Sequence, residues 1–306
     1  MRVAAVDCGT NSVRLLVADI VPGHKVDVLR QMRVVRLGEG VDRTGELAPQ
    51  ALERTRVALV DYALTCRQYD VERIRMVATS ATRDASNRNA FTEMVEVVLG
   101  VTPDVVSGAE EAALSFTGAT GDLVDDVSTP APYLVMDIGG GSTELVLGST
   151  GVQAALSVDV GCVRLTERHL LADPPTPDQV AAAQADVLEA LERVAAVVPV
   201  AQARTAVGLA GSVTTVAAVA LGLPAYDTDA LHLSRITAEQ IREVTERLLG
   251  MTRAERAALP VMHPGRVDVI GGGALVLRTV VDRFGLDEVL VSERDILDGI
   301  ALSVGP

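Results

Sequence analysis

The sequence predicts an α/β protein of two similar lobes. Strand-like and helix-like patterns alternate along the chain, and each half opens on two apolar, β-branched runs joined by a short polar turn that carries glycine. At 306 residues, 48% hydrophobic and 22% charged, the chain is long enough for two domains with cores of their own.

Met1 to Asp7 and Val13 to Ile20 read as strands flanking the turn Cys8-Gly9-Thr10-Asn11-Ser12. A charged segment then leads to a helix from Pro49 through Tyr69, where Leu52, Leu59, Val60, Ala63 and Leu64 recur at helical spacing. Ile74 to Ala78 reads as a buried strand ending in the Ser/Thr-rich turn that holds Arg83. A helix from about Asn87 and a strand at about Thr102 to Val106 follow. Ser107-Gly108-Ala109-Glu110-Glu111 opens the next helix, and Asp122 to Pro132 is the best candidate for a linker.

Beyond it the opening pattern returns. Tyr133 to Met136 and Glu144 to Leu147 are strands flanking Asp137-Ile138-Gly139-Gly140-Gly141-Ser142-Thr143, a weak internal duplication of the first hairpin. Leu156 to Val160 leads through Gly161 to a helix bearing Arg164, and an alanine-rich helix runs to about Val197. Ala206 to Leu223 carries no charge and reads as a strand, a glycine turn and a buried helix rather than a membrane span. Ile270-Gly271-Gly272-Gly273 opens another helix, Val289 to Ser292 is a late strand, and Asp295 to Ser303 a closing helix.

The net charge of -14 disfavours nucleic-acid and membrane-surface binding, both of which need a broad basic face. With 2% aromatic residues and no Trp, base-stacking platforms are scarce as well. Lys25 is the sole lysine, so a polyanion would have to meet arginines, whose guanidinium forks suit phosphate oxygens. The three cysteines, Cys8, Cys66 and Cys162, are widely spaced and read as reduced, buried thiols. Asp7 interrupts the first apolar run, which is too short for a secretory signal, and cytoplasmic residence is expected.

The two hairpin turns carry the chemistry. Glycine lets backbone N–H groups approach a phosphate without a Cβ in the way, and neighbouring hydroxyls add donors. The aspartate heading each turn adds a carboxylate suited to Mg²⁺, with Asp137 the first choice. One such turn alone would be an ordinary β-turn; two copies, each between strands, point to a pair of phosphate clamps. A Walker P-loop is excluded, because no GxxxxGK[ST] occurs, and the triple glycine 139 to 141 leads into a strand, unlike a dinucleotide fingerprint. Hydrolysis also needs a carboxylate to activate water, and Glu110 and Glu111 are both candidates. Adjacent helical residues diverge by about 100 degrees, so one of them alone can face a given cleft. Arg83, Arg164 and Arg266 taken singly read as surface residues, and the four histidines form no metal-like spacing.

Five blocks in order, Asp7-Cys-Gly-Thr-Asn-Ser-Val-Arg-Leu, Ala78-Thr-Ser-Ala-Thr-Arg-Asp-Ala, Ser107-Gly-Ala-Glu-Glu-Ala, Asp137-Ile-Gly-Gly-Gly-Ser-Thr-Glu-Leu and Gly161-Cys-Val-Arg-Leu-Thr-Glu, resemble the exopolyphosphatase and guanosine pentaphosphate phosphohydrolase family over nearly the whole chain. That resemblance implies two ribonuclease-H-like lobes of the actin-like ATPase superfamily with an interdomain cleft. Residues 1–118 plus 295–306 would form one lobe and 119–294 the other. It implies Glu111 as the general base, Asp137 and Glu144 as holders of Mg²⁺, and Gly9, Thr10, Asn11, Ser12, Gly139, Gly140, Gly141, Ser142 and Thr143 as the phosphate clamps. Arg83 would be a side-chain contact to phosphate, and Arg14 falls near the phosphate chain.

Cys8 and Thr10 depart from the family's usual choices, conservatively for a backbone clamp. The chain stops near Pro306, where long members carry further helical domains, so short polyphosphate or pppGpp is the expected substrate. Exopolyphosphatase is the leading expectation and pppGpp 5′-phosphohydrolase the alternative. A non-catalytic polyphosphate or alarmone sensor is the reading from another class. A homodimer is compatible with the family, and nothing in the sequence locates an interface.

Overall fold

The computed structural model describes residues 1–21, 24–124 and 126–304, with His24 described in its backbone alone. The chain divides into two compact units, Met1–Gly118 with Ile296–Pro306, and Ala119–Asp295.

In chain order the first unit holds β1 (Arg2–Cys8), β2 (Ser12–Val21), β3 (His24–Val34), α1 (Val41–Thr44), α2 (Pro49–Gln68), β4 (Arg73–Ala78), α3 (Ser80–Asp84), α4 (Arg88–Leu99), β5 (Asp104–Val105) and α5 (Gly108–Thr120). The second holds β6 (Tyr133–Ile138), β7 (Thr143–Gly148), β8 (Val152–Val158), α6 (Cys162–Arg168), α7 (Pro177–Val197), β9 (Thr205–Leu209), α8 (Ala210–Ala220), α9 (Thr228–Leu231), β10 (Arg235–Thr237), α10 (Ala238–Gly250), α11 (Arg253–Ala257), α12 (Ile270–Phe284) and β11 (Glu288–Val291). The chain then returns to the first unit as α13 (Ile296–Val304).

Among the described residues the first sheet has the order β3-β2-β1-β4-β5, and the second β10-β11-β9-β6-β7-β8. In the first, β1 pairs antiparallel with β2 and parallel with β4, and β4 is parallel to β5. In the second, β6 pairs antiparallel with β7 and parallel with β9, and β9 is parallel to β11. Apart from the added β10, the sheets repeat one plan, the ribonuclease-H-like arrangement. Parallel neighbours need crossover helices, which is why both faces of each sheet are covered. Along β1, Ala4, Val6 and Cys8 join the core beneath α2 and α4 with Leu59, Tyr62 and Phe91. Val3 and Ala5 point to the other face, beneath Leu114 of α5 and Ile296 and Ile300 of α13, as a strand's period of two dictates.

Two readings are corrected. The charged stretch after the first hairpin contains β3, which pairs with β2 along its length. An edge strand with Lys25, Asp27, Arg30 and Arg33 lacks the apolar alternation of a buried one, so its charges hid it. The strand expected at Leu156 to Val160 begins earlier, at Val152, on the exposed edge of its sheet. The division between the units falls at the end of α5, before the segment expected to be the linker, of which Asp125 lies outside the described residues. The uncharged run from Ala206 is β9 followed by α8, and among the described residues no helix is long and apolar enough to cross a membrane.

Candidate active site

Three features of the first unit lie at the carboxyl ends of its parallel strands, the edge of an α/β sheet where ligands commonly bind. The Gly9–Asn11 turn follows β1, the short helix α3 with Arg83 follows β4, and α5 with Glu111 follows β5.

The turn is closed by Gly9 N–H donating to Ser12 O at 3.0 Å. Its carbonyls are held from one side: Gly38 N donates to Thr10 O at 2.8 Å, and Val35 N and Arg36 N donate to Asn11 O at 3.0 and 2.9 Å. In a trans peptide the N–H points opposite its C=O. The amides of Asn11 and Ser12 are therefore aimed away from the 35–38 segment, in the sense a phosphate clamp requires. Gly38, which the sequence reading did not single out, makes this approach: a Cβ there would lie 2.3 Å from Thr10 Cγ2.

The second turn repeats the design. Gly139 N–H donates to Ser142 O at 3.0 Å. Cys162 N donates to Gly139 O at 3.0 Å, Val163 N and Arg164 N to Gly140 O at 2.9 and 3.2 Å, and Arg164 Nε to Gly141 O at 2.8 Å. The amides of Gly140, Gly141 and Ser142 accordingly point away from α6. Gly161 allows the contact, since a Cβ there would meet Gly140 O at 2.5 Å. Thr143, expected in the clamp, is fully buried and donates its hydroxyl to Val160 O at 2.7 Å; it supports the turn from inside.

The two hairpins differ in what faces the leading aspartate. Across β6 and β7, Asp137 stands opposite Glu144, and both are buried. Directly opposed residues of an antiparallel pair project from the same face with Cβ atoms about 5 Å apart. Glu144 Oε1 accepts from Ser157 Oγ at 2.7 Å. Across β1 and β2, Asp7 stands opposite Arg14, whose Nε and Nη2 donate to Asp7 Oδ2 at 3.0 and 2.7 Å. Arg14 is thus engaged with Asp7, whereas the equivalent place in the second unit holds a second carboxylate. Two like charges on one buried face favour a bound cation, and two carboxylates are what Mg²⁺ takes from a protein, its other positions going to water and phosphate oxygens. Among the described residues no cage of three or more His, Cys, Asp or Glu side chains exists. The donor set fits Mg²⁺, which needs none.

Glu110 and Glu111 differ in exposure and partner. Glu110 is exposed and accepts from Arg75 Nη2 at 3.0 Å, while Glu111 is 7% exposed, in the first turn of α5. Arg83 Nη1 donates to Glu111 Oε2 at 3.0 Å and to Val106 O at 3.0 Å. Arg83, expected to contact phosphate, therefore holds a carboxylate in this structure. Arg266 donates to Thr215 Oγ1 at 2.9 Å and lies over the Tyr226 ring. Cys8, Cys66 and Cys162 are free and buried, and burial pushes the Cys66 thiol up to about 11.

Comparison with known proteins gives the chain's family. The chain is 54% identical to exopolyphosphatase 2 of Mycobacterium tuberculosis (strain ATCC 25618 / H37Rv), over 99% of this chain and 98% of that protein. The crystal structure of an exopolyphosphatase-like protein superposes with a TM-score of 0.96 at 44% identity, covering 99% and 97% of the two chains. The crystal structure of the Ppx/GppA member from Aquifex aeolicus superposes at 0.81 with 30% identity, covering 99% and 97%. Residues 16–305 match the Ppx/GppA phosphatase family. A doubled sheet plan, two glycine turns with buried aspartates and full-length similarity converge on one assignment: the chain belongs to the Ppx/GppA phosphatase family.

Proposed function

We propose that the chain is an exopolyphosphatase, releasing terminal orthophosphate from inorganic polyphosphate. The observation that carries this reading is the pair of matched turns, each with its carbonyls tied back so that amides face outward, together with buried Glu111 at the carboxyl edge of the first sheet. The 54% identity to a protein named exopolyphosphatase 2 supports the same substrate class.

In this reading the amides of residues 11–12 and 140–142 and the hydroxyls of Thr10, Ser12 and Ser142 bind phosphate oxygens. Glu111 orients a water and takes its proton as the water oxygen attacks the terminal phosphorus. The bond from that phosphorus to the bridging oxygen breaks, orthophosphate leaves, and the shortened chain keeps the bridging oxygen. Arg83 holds the Glu111 carboxylate in place. Asp137 and Glu144 would hold Mg²⁺, which neutralises phosphate charge when bound. Cytoplasmic residence belongs to the same reading, and so does a homodimer.

The test is phosphate release by purified protein from short polyphosphate, long polyphosphate and pppGpp in parallel, with and without Mg²⁺, beside Glu111→Gln. Release from polyphosphate that collapses in the variant supports the reading. Release confined to pppGpp would make the protein a pppGpp 5′-phosphohydrolase, and binding without release would make it a sensor.

A further inference from the structure

We infer that Arg164 is a positioning residue for the reaction: its side chain fixes the last peptide of the Gly139–Ser142 turn, so that the turn's amides face the phosphate, without touching the substrate. The inference rests on the reading of that turn as a phosphate clamp.

Ser142 O closes the turn on Gly139 N, and α6 ties the other three carbonyls. Cys162 N takes Gly139 O, Val163 N and Arg164 N take Gly140 O, and Arg164 Nε takes Gly141 O at 2.8 Å. The last is the sole one of these bonds made by a side chain, and it governs the peptide whose N–H belongs to Ser142. Since the two ends of a planar peptide are antiparallel, anchoring Gly141 O fixes where Ser142 N–H points. Three consecutive glycines have wide conformational freedom and large entropy to lose, so a turn built of them needs such external ties to hold one geometry.

The first unit solves the same problem differently, which isolates the part Arg164 plays. Aligning the turns on their closing bonds, Gly9 N to Ser12 O and Gly139 N to Ser142 O, makes Asn11 O the counterpart of Gly141 O. Asn11 O is held by main-chain amides, those of Val35 and Arg36, and Arg36 adopts a left-handed backbone with φ of 51° at that contact. A backbone tie there is replaced in the second unit by a guanidinium. Sequence alone read Arg164 as a surface residue, because nothing in Gly-Cys-Val-Arg says that its Nε turns back to the glycine run.

A substrate ligand and a positioning residue differ in how they respond to salt. An arginine that contacts a polyanion contributes to the salt dependence of binding, and its removal lowers that slope by about one charge. A residue that only ties the turn does not.

The experiment compares wild type, Arg164→Gln and Arg164→Ala. It reads kcat and KM for short and long polyphosphate against ionic strength, and amide hydrogen exchange of peptides spanning residues 137–143 and 7–13. We expect kcat/KM to fall about tenfold to a hundredfold, the usual worth of one charge-assisted hydrogen bond. The factor should be the same for short and long chains, with the salt slope unchanged. Exchange at 137–143 should accelerate while 7–13 stays as in wild type, and guanidinium ion at sub-denaturing concentration should restore part of the loss in Arg164→Ala.

A salt slope lowered by about one charge would make Arg164 a substrate ligand and overturn the inference. Wild-type kinetics with unchanged exchange would overturn it too, as would acceleration throughout the protein without guanidinium rescue. The exchange readout needs no turnover, so it stands apart from failure of the exopolyphosphatase assay.

Discussion

Asp7 and Asp137 occupy the same position in two copies of one hairpin, yet Asp7 faces Arg14 and Asp137 faces Glu144. The duplicated turn therefore carries its own cation in the first unit and a pair of carboxylates in the second. The first hairpin pairs its aspartate with a cation of its own, and the second sets a carboxylate opposite its aspartate, the donor pair that the proposed function assigns to Mg²⁺. In the proposed function the two copies therefore differ in one respect: both would clamp phosphate, and the second alone would also hold Mg²⁺.

Glu144→Gln and Asp137→Asn should each raise the Mg²⁺ concentration needed for half-maximal phosphate release, because each removes one of the two charged donors. Glu144→Arg, which rebuilds the Asp7–Arg14 arrangement, should abolish Mg²⁺ stimulation while the chain stays folded. A titration of activity against Mg²⁺ with melting curves alongside checks both. Unaltered Mg²⁺ dependence in all three variants would place the metal elsewhere.

Arg83 ties Glu111 to the end of β5 by bridging Glu111 Oε2 and Val106 O. Glu111→Gln should lower kcat by about two to four orders of magnitude, the usual contribution of a general base, with KM little changed. Arg83→Lys keeps a charge but moves it off the position from which Nη1 donates to both Glu111 Oε2 and Val106 O, and should lower kcat by about tenfold. If Arg83 served mainly as a phosphate ligand, the lysine variant would show its defect in KM instead.

The fold was legible where chemistry repeats, and obscure where one segment serves another. Both hairpins could be read because glycine and aspartate stand between β-branched runs, Asp7-Cys-Gly and Asp137-Ile-Gly alike. β3 stayed hidden because an edge strand has no need of apolar alternation, so Lys25, Asp27 and Arg30 looked like a connecting segment. At the site, spacing offered Glu110 and Glu111 without separating them, since their different settings depend on Arg75 and Arg83 arriving from β4 and α3. Gly38, Gly161 and Arg164 act across 20 or more residues on turns they do not belong to, for example Arg164 on Gly141 with a separation of 23. No local pattern announces such a contact.

Gly38→Ala should damage the first turn, because its Cβ would fall 2.3 Å from Thr10 Cγ2 and 3.1 Å from Ala81 Cβ. Overpacking of this kind costs about 1–3 kcal/mol. Thr10→Ser removes the nearer methyl, so the double variant should recover part of the stability and activity lost in Gly38→Ala. A double-mutant cycle on Tm and on kcat/KM measures the coupling. Simple additivity would mean that the damage arises elsewhere.

The closing helix α13 returns to the first unit and is fastened to β3 by charge. Lys25 and Arg30 both pair with Asp298 of α13, Lys25 at 2.9 Å, and the side chains of Lys25 and Asp298 are 3% and 1% exposed. Asp27 completes the group by pairing with the same two cations. Asp298→Asn leaves two cations facing one carboxylate in a buried setting, and breaking a buried pair in this way costs about 3–5 kcal/mol. Asp27 adds a pH signature. Burial alone would raise its pKa, but Lys25 and Arg30 outweigh burial and hold it below the usual carboxylate range. A depressed folded pKa means that its stabilisation is present above the unfolded value, about 3.9, and is lost as pH falls through the folded value. Asp27→Asn should therefore lower Tm at pH 7, and the gap to wild type should narrow below about pH 4. Calorimetry from pH 3 to 7 tests this; a gap that stays constant or widens on acidification would show that the Asp27 carboxylate contributes nothing to holding the helix.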